Sequence, residues 1–415
     1  MKITHFGPFQ TQTQLRFMEY YLPLQAITNN PKGSMLELKL TEEQQMLREM
    51  VRDFTNNEIK PIAAKIDQEA KIPEDLIKKM AELGFLGISF PEEYGGGGMG
   101  EVGYCLMQEE IARGCMSTAT FIGAHQSIGS NAIYLGGNEE QKKKYLTQLA
   151  SGEKIGAFCL TEAQAGSDSF HLRTKADLDG NEWVINGEKL WITNGGIAGI
   201  LSLFARTEKG ISAFIVETDT PGFKVGPAEK KMGIKGSTTN ALSFENVRIP
   251  KENLMGTDGR GFLIAMKTLD AGRLGLGAAC LGVSKELLEL STNYAKERKQ
   301  FDHPISFFQA VQFMLAEMAT MIFNMESIVY RTATDYDLGK NISTNSAMVK
   351  LYCSDALDEI VDRAVQIHGG MGYSQELPIE RIYRDSRINR IFEGTNEIQK
   401  GIIARDILKK GGKLF

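Results

Sequence analysis

From Gly261 to the end of the chain proline is nearly absent, and apolar residues recur at helical spacing over long stretches. That spacing predicts helices over Phe262 to about Phe301, Phe308 to about Leu338, Ser343 to about His368 and Thr395 to about Lys409. The N-terminal part reads as helical too. Thr41-Glu42-Glu43-Gln44 is a capping box, followed by Met46, Leu47, Met50, Val51 and Phe54 on one face, to about Ile59. Pro61 marks a bend, and Pro73 opens a helix carrying Leu76, Ile77, Met80 and Leu83. A glycine-rich loop closes at Gly98, and helical stretches run from Val102 to about Ala150.

Between these regions the period changes to that of strands. Trp183-Val184-Ile185, the pair Asn186-Gly187 and Lys189 to Thr193 predict a β-hairpin. Leu201 to Ala205, Ser212 to Glu217 and Ala241 to Phe244 are further strand candidates. The expected division is a helical domain over 35–154, a β domain over 155–258 and a helical domain over 259–415. Residues 1–34 differ in composition and are expected to be a disordered extension without function, with Met35 as the natural start.

The chain has 415 residues and a net charge of −5, which argues against a nucleic-acid surface, since that would need a basic face. No apolar run reaches the length of a membrane span. The five cysteines and five histidines are scattered, with no C-x-x-C or H-x-x-x-H spacing, so neither disulfides nor a metal site is expected. No G-x-S-x-G elbow is present. Gly275-Leu276-Gly277-Ala278-Ala279-Cys280 lacks the third glycine of a dinucleotide fingerprint and lies inside a helical pattern, where small residues suit close helix packing.

The segment with most chemical content is Arg390-Ile391-Phe392-Glu393-Gly394-Thr395-Asn396-Glu397. Thr395 is placed to cap the helix that follows, and Gly394 lets backbone approach a ligand. A carboxylate beside Phe392 at such a helix start loses solvent, which raises its pKa toward that of a general base. Alone, the segment reads more readily as an ordinary loop glutamate.

Five segments in this order resemble the acyl-CoA dehydrogenase family: Leu160 to Asp168, Trp191 to Gly196, Glu297 to Phe301, Gln366 to Tyr373 and Phe392 to Thr395. The resemblance covers about residues 36 to 411. It implies an α+β multidomain fold with an N-terminal helical domain, a central small β-barrel or sandwich, and a C-terminal four-helix bundle. It implies FAD as cofactor and oxidation of a fatty acyl-CoA to the trans-2-enoyl-CoA in fatty acid β-oxidation. Electrons pass to an electron-transferring flavoprotein, the assembly is a homotetramer built as a dimer of dimers, and the compartment is the bacterial cytoplasm or, in a eukaryote, the mitochondrial matrix.

By the same resemblance Glu393 is the base that takes the α-proton. Phe158, Leu160, Thr161, Ser167, Trp191 and Thr193 match flavin contacts. Arg298, Gln309, Gln366, Ile367, Gly369 and Gly370 match contacts made to the FAD of a neighbouring subunit, Phe301 is a further cofactor-binding position, and Thr395 and Glu397 match the last FAD contacts. Ser167, Asp270, Arg273 and Gly394 match substrate-side positions. Some members carry their base just before the arginine, where this chain has Gly272. Ala163 replaces a common proline and Asp302 a usual glycine. An oxidase on the same fold would be a much longer chain, and a non-catalytic member would have lost the base. Several motifs look like the very-long-chain branch and Thr268 to Arg273 like the short-chain branch. The small pair Gly123-Ala124 suggests room for a tail, so straight medium-to-long acyl chains are expected.

Overall fold

In the computed structural model, which describes residues 40–413, the chain begins as its capping box predicts. Gln44 N donates to Thr41 Oγ1 at 3.2 Å, and Thr41 N donates to Gln44 Oε1 at 3.0 Å. The extension expected over 1–34 lies outside the described residues. The first region comprises α1 (Glu42–Phe54), α2 (Ala63–Glu69), α3 (Glu74–Glu82), α4 (Gly100–Gly114), α5 (Met116–Ile122), α6 (Asn131–Gly136) and α7 (Glu139–Ala150). A π-helical turn, Gly123–Ser130, joins α5 to α6. The apolar face expected on α1 is only partly buried. Leu47 and Val51 are covered, while Met46 and Met50 are exposed. On α1, Arg48 and Arg52 instead reach over to Glu109 and Glu110 of α4.

Eight strands form one sheet: β1 (Gly156–Cys159), β2 (Lys175–Asp179), β3 (Glu182–Thr193), β4 (Ile200–Thr207), β5 (Gly210–Glu217), β6 (Phe223–Ala228), β7 (Thr239–Pro250) and β8 (Leu254–Met255). Their order is β6-β7-β3-β2-β4-β5-β8, with β1 parallel to β4. The sheet encloses a core of its own, in which Trp183, Ile185, Leu242, Phe244 and Val247 meet Leu201, Leu203, Phe214 and Val216. Its other face packs Phe158, Leu160, Phe204 and Ile215 against Ile133, Leu146, Leu149 and Ala265. Residues of β4 are therefore buried on both sides.

The hairpin expected at Asn186-Gly187 does not form. Both residues lie within the single strand β3, where the pairing with β7 shifts register between Ile185 and Gly187. The reversal lies earlier, at Gly180-Asn181, where Asp179 pairs with Glu182 and Gly180 has φ +63°. Gly187 is needed for another reason: a Cβ there would stand 2.6 Å from Thr174 Oγ1.

The last region holds α8 (Gly261–Glu297), β9 (Lys299–Gln300), β10 (His303–Pro304), α9 (Gln309–Asp337), α10 (Ser343–His368), α11 (Gly370–Tyr373), α12 (Ile379–Ser386) and α13 (Asn396–Lys409). Helix α8 ends at Glu297, so Phe301 falls beyond it, in the tight turn between β9 and β10. Phe301 and Asp302 both have positive φ there, at +52° and +64°. Asp302 thus occupies a left-handed position of the kind glycine adopts at no steric cost.

Arg384 of α12 ties the three regions together. Its guanidinium donates to both carboxylate oxygens of Asp67 on α2 (3.0 and 2.7 Å), to Glu380 (2.8 Å) and to the Met232 carbonyl after β6 (3.2 Å). The adjacent Asp385 carboxylate accepts from the Ile234 N–H. Arg384→Ala removes the guanidinium's bonds to Asp67, Glu380 and Met232 and is expected to cost about 1.5–3 kcal/mol. Urea unfolding of the variant against wild type measures it.

Candidate active site

Two consecutive left-handed residues, Glu393 at φ +56° and Gly394 at φ +88°, turn the chain sharply ahead of α13. Thr395 caps the helix, its Oγ1 accepting from Ile398 N at 3.4 Å. Gln399 Nε2 holds the Gly394 carbonyl at 2.8 Å, and Arg273 Nε approaches the Glu393 carbonyl at 3.4 Å. A left-handed backbone is costly for a residue with a Cβ, so these contacts hold the glutamate in a conformation it would not choose. The Glu393 backbone N–H donates to no group among the described residues.

The Glu393 side chain points at α8. A Cβ added at Gly272 would stand 2.7 Å from Glu393 Oε2, so the glycine leaves open the space the carboxylate uses. Oε2 is shielded from solvent and has no hydrogen-bond partner. Burial pushes the carboxyl up to about 7, against the opposing pull of the Arg273 guanidinium and the Lys350 ammonium. Arg273 is itself buried and donates to Asp270 Oδ1 at 2.7 Å. Glu397 is exposed on the outer side of α13.

Lys350 of α10 was not singled out from the sequence. It is fully buried and donates to Asn396 Oδ1 at 2.7 Å, while Asn396 Nδ2 reaches Ser354 Oγ and Asp355 Oδ1, both at 2.9 Å. Burial lowers the ammonium to about 8, with Glu393 pulling it back up. Its signal was positional: Ser346, Lys350, Cys353 and Leu357 follow one inward stripe of α10.

The room expected beside Gly123-Ala124 is occupied. Tyr104 of α4 fills it, with its hydroxyl 3.6 Å from where a Gly123 Cβ would be. Tyr104 was also missed, because nothing in the local sequence says which helix faces Gly123.

On the β domain, Phe158 and Leu160 are buried in the core, so their side chains serve packing. Thr161 and Trp191 adjoin, since Leu190 N donates to the Thr161 carbonyl at 2.9 Å. Trp191 is 56% exposed and has φ +62° near the end of β3. Thr193 is half-buried two residues on, and Ser167 is exposed on the loop. That loop hangs on Glu162, again missed. Its Oε1 accepts from Lys189 Nζ (2.7 Å), Thr174 Oγ1 (2.6 Å) and Thr174 N (3.0 Å), and its Oε2 from Arg173 N (2.6 Å) and Gln164 Nε2 (2.7 Å). Lys189 also holds the Leu160 carbonyl at 3.1 Å. Burial would raise the Glu162 carboxyl, but Lys189 and these donors hold it down at about 2. The clue lay in β3, where Lys189 stands at a core-facing position among buried positions otherwise held by Trp183, Ile185 and Ile192.

The remaining predicted residues gather at one end of the helical bundle, apart from Glu393. The ring of Tyr294 of α8 packs tilted against His368 of α10 with ring centroids 4.4 Å apart, one turn before Arg298. Arg298 accepts through its carbonyl from Ile305 N at 2.8 Å, which holds the β9–β10 turn beside it. Arg298, Phe301, Gln309, Gln366, Gly369 and Gly370 are exposed there, and Phe301 is 85% so. Ile367 differs from the expectation: it points into the core of the bundle. Among the described residues no cluster of three or more His, Cys, Asp or Glu could hold a metal ion.

The chain matches three family models end to end. "Acyl-CoA dehydrogenase, N-terminal domain" matches residues 41–153, the middle domain 157–247 and the C-terminal domain 259–408. It is 43% identical over 379 residues to the short-chain-specific acyl-CoA dehydrogenase of Clostridium acetobutylicum, covering 90% of this chain and 100% of that one. Among solved structures, butyryl-CoA dehydrogenase from Megasphaera elsdenii superposes with a TM-score of 0.88 at 39% identity, covering 90% of this chain and 100% of that one. The acyl-CoA dehydrogenase complexed with FAD from Bacillus anthracis gives 0.86 at 41% identity, covering 91% of this chain and 68% of that one.

Glu162→Gln leaves the Lys189 ammonium buried without its counter-charge and is expected to destabilise the protein by about 3–5 kcal/mol. The wild-type carboxyl lies below its ordinary value of 4.5, so its stabilisation is complete above that pH and is lost as pH falls toward about 2. The variant should therefore lose less stability than wild type between those limits. Thermal unfolding of both proteins across that pH range checks it.

Proposed function

The chain belongs to the acyl-CoA dehydrogenase family, and we propose that it removes the α- and β-hydrogens of a short straight-chain acyl-CoA, with Glu393 as the base. The observation that carries this reading is the unpartnered, shielded Glu393 Oε2 set against Gly272. The two positions at which the family places its base address the same space here, and only one holds a carboxylate. The medium-to-long chain expectation gives way to short chains, because the room beside Gly123 is filled by Tyr104 and two of the relatives above are a short-chain-specific and a butyryl-CoA enzyme.

The residues present suit FAD. Trp191 keeps an indole exposed on a left-handed backbone, and a flat aromatic partner over the ring gains burial and stacking there. Thr161 and Thr193 set polar groups beside it, and Arg298 offers a guanidinium fork to phosphate oxygens. FAD supplies, when bound, a two-electron acceptor for the hydride leaving the β-carbon.

The chain itself does the proton chemistry. With its pKa near 7, Glu393 is both substantially ionised at neutral pH and basic enough to take the α-proton at Oε2. The free Glu393 N–H is placed to donate to the thioester carbonyl, where charge develops. Arg273 and Lys350 keep the glutamate from neutralising altogether, and Asp270 fixes Arg273.

The exposed Phe301, Phe313, Phe323 and Tyr373 on the last region support assembly with further copies, which we propose to be the homotetramer of the resemblance. Arg298, Gln309 and the Gln366–Gly370 segment would then serve a neighbour's FAD. An electron-transferring flavoprotein is the proposed acceptor. No helix of the described residues is long and apolar enough to cross a membrane. The bacterial cytoplasm, or the mitochondrial matrix in a eukaryote, is the proposed compartment.

Glu393→Gln is expected to keep FAD and bind butyryl-CoA while turnover falls by about 10²–10⁴-fold. Anaerobic mixing with butyryl-CoA, watching the flavin bleach, reads both. A variant that bleaches at the wild-type rate places the base elsewhere. In wild type, kcat/KM should rise with pH and level off above about 7 as Glu393 ionises. Arg298→Ala should lower FAD per chain with the fold intact, as read by absorbance and circular dichroism, and full retention would make it a surface cation.

A further inference from the structure

The slot that this reading places beside Glu393 runs along one face of α8. Gly272 and Gly275 share that face, about 4.5 Å apart along the axis. A Cβ on Gly272 would stand 2.7 Å from both Glu393 Oε2 and Ile128 Cγ2. A Cβ on Gly275 would stand 2.5 Å from Tyr104 Cε1 and 2.7 Å from Tyr104 Oη. The facing wall is the π-helical turn that carries Ile128, and it reaches the same phenol through Gly123, 3.6 Å from the hydroxyl at its Cβ position. The Tyr104 ring therefore bridges α8 and the π-helical turn one step beyond the base. It is 1% exposed, and Gln108 Nε2 donates to its hydroxyl at 3.0 Å.

We propose that the ring of Tyr104 is the floor of the acyl slot and restricts the enzyme to butyryl-CoA and acyl groups close to it in length. The proposal rests on the placement of the substrate's α-carbon at Glu393. A fully buried, hydrogen-bonded ring packed against two glycines has no free volume to yield, and interiors packed at crystal density resist extra methylenes. Removing the ring joins the slot to the space beside Gly123 and Gln108. A longer tail then gains burial, and a butyryl group loses the surface that held it.

The test is the ratio of kcat/KM for octanoyl-CoA to that for butyryl-CoA. Wild type should favour butyryl-CoA. Tyr104→Ala should raise the octanoyl-to-butyryl ratio by about 10–100-fold, and Tyr104→Phe, which keeps the ring, should leave it near wild type. If the alanine variant fails to fold, Tyr104→Leu keeps much of the packing and should move the ratio the same way. A second readout avoids turnover: in the Glu393→Gln background, calorimetric affinity for octanoyl-CoA should rise on adding Tyr104→Ala. An unchanged ratio in folded, FAD-loaded variants, or a wild type that already favours octanoyl-CoA, overturns the floor and leaves the dehydrogenase reading standing. A wild type whose flavin bleaches with no acyl-CoA of any length removes that reading, and the floor with it.

Discussion

Helix α8 comes closer to its neighbours than side chains would allow, and the rest of the molecule is arranged around that approach. A Cβ at Gly282 would fall 1.9 Å from the Glu109 carbonyl of α4, and one at Gly277 would fall 2.4 Å from Val349 of α10. Toward the start of the helix the same economy leaves space for the Tyr104 ring at Gly275 and for the Glu393 carboxylate at Gly272. Glycine is a poor helix former, so a run of them in a 37-residue helix is tolerable only because packing on every side holds the helix in place. The local loss of propensity makes room for the site.

The same helices contain two opposite treatments of a buried carboxylate. Glu110 of α4 is enclosed, yet Arg52 and Arg48 donate to it and outweigh the effect of burial, so it stays ionised. Its neighbour Glu109 takes Lys285, Arg48 and the Tyr330 hydroxyl. Glu393 receives no such donors at Oε2 and has cations only at a remove. Saturating a carboxylate with hydrogen bonds makes it a strut, and withholding them leaves it reactive.

Much of this was legible in the sequence. The capping box at Thr41, the span Ser343–His368 and the cap at Thr395 come from local chemistry, and they appear as read. Asn186-Gly187 misled for a physical reason. That pair is also compatible with a bulged strand, and what selects the bulge is Thr174, a residue of another segment packed against Gly187. The true turn, at Gly180-Asn181, carried its own signal. Glu393, Trp191 and Arg298 could be singled out because they sit in motifs. Glu162, Lys350 and Tyr104 were missed because each acts across a tertiary contact: Lys189 on β3, Asn396 on α13 and Gly275 on α8. The room beside Gly123-Ala124 was misjudged on the same ground, since a small residue shows available volume only once its neighbour is known.

The chain has two tryptophans, and the fold gives them opposite surroundings. Trp183 is 4% exposed inside the β core, 5.2 Å from the ring of Phe214, whereas Trp191 stands in the open. Their emission should separate, one blue-shifted and indifferent to solutes, the other red-shifted and quenched by iodide. Covering Trp191 with an aromatic ring would extinguish the second component alone. The protein thus carries a built-in optical gauge of what lies over its β domain, with an internal reference in the same spectrum.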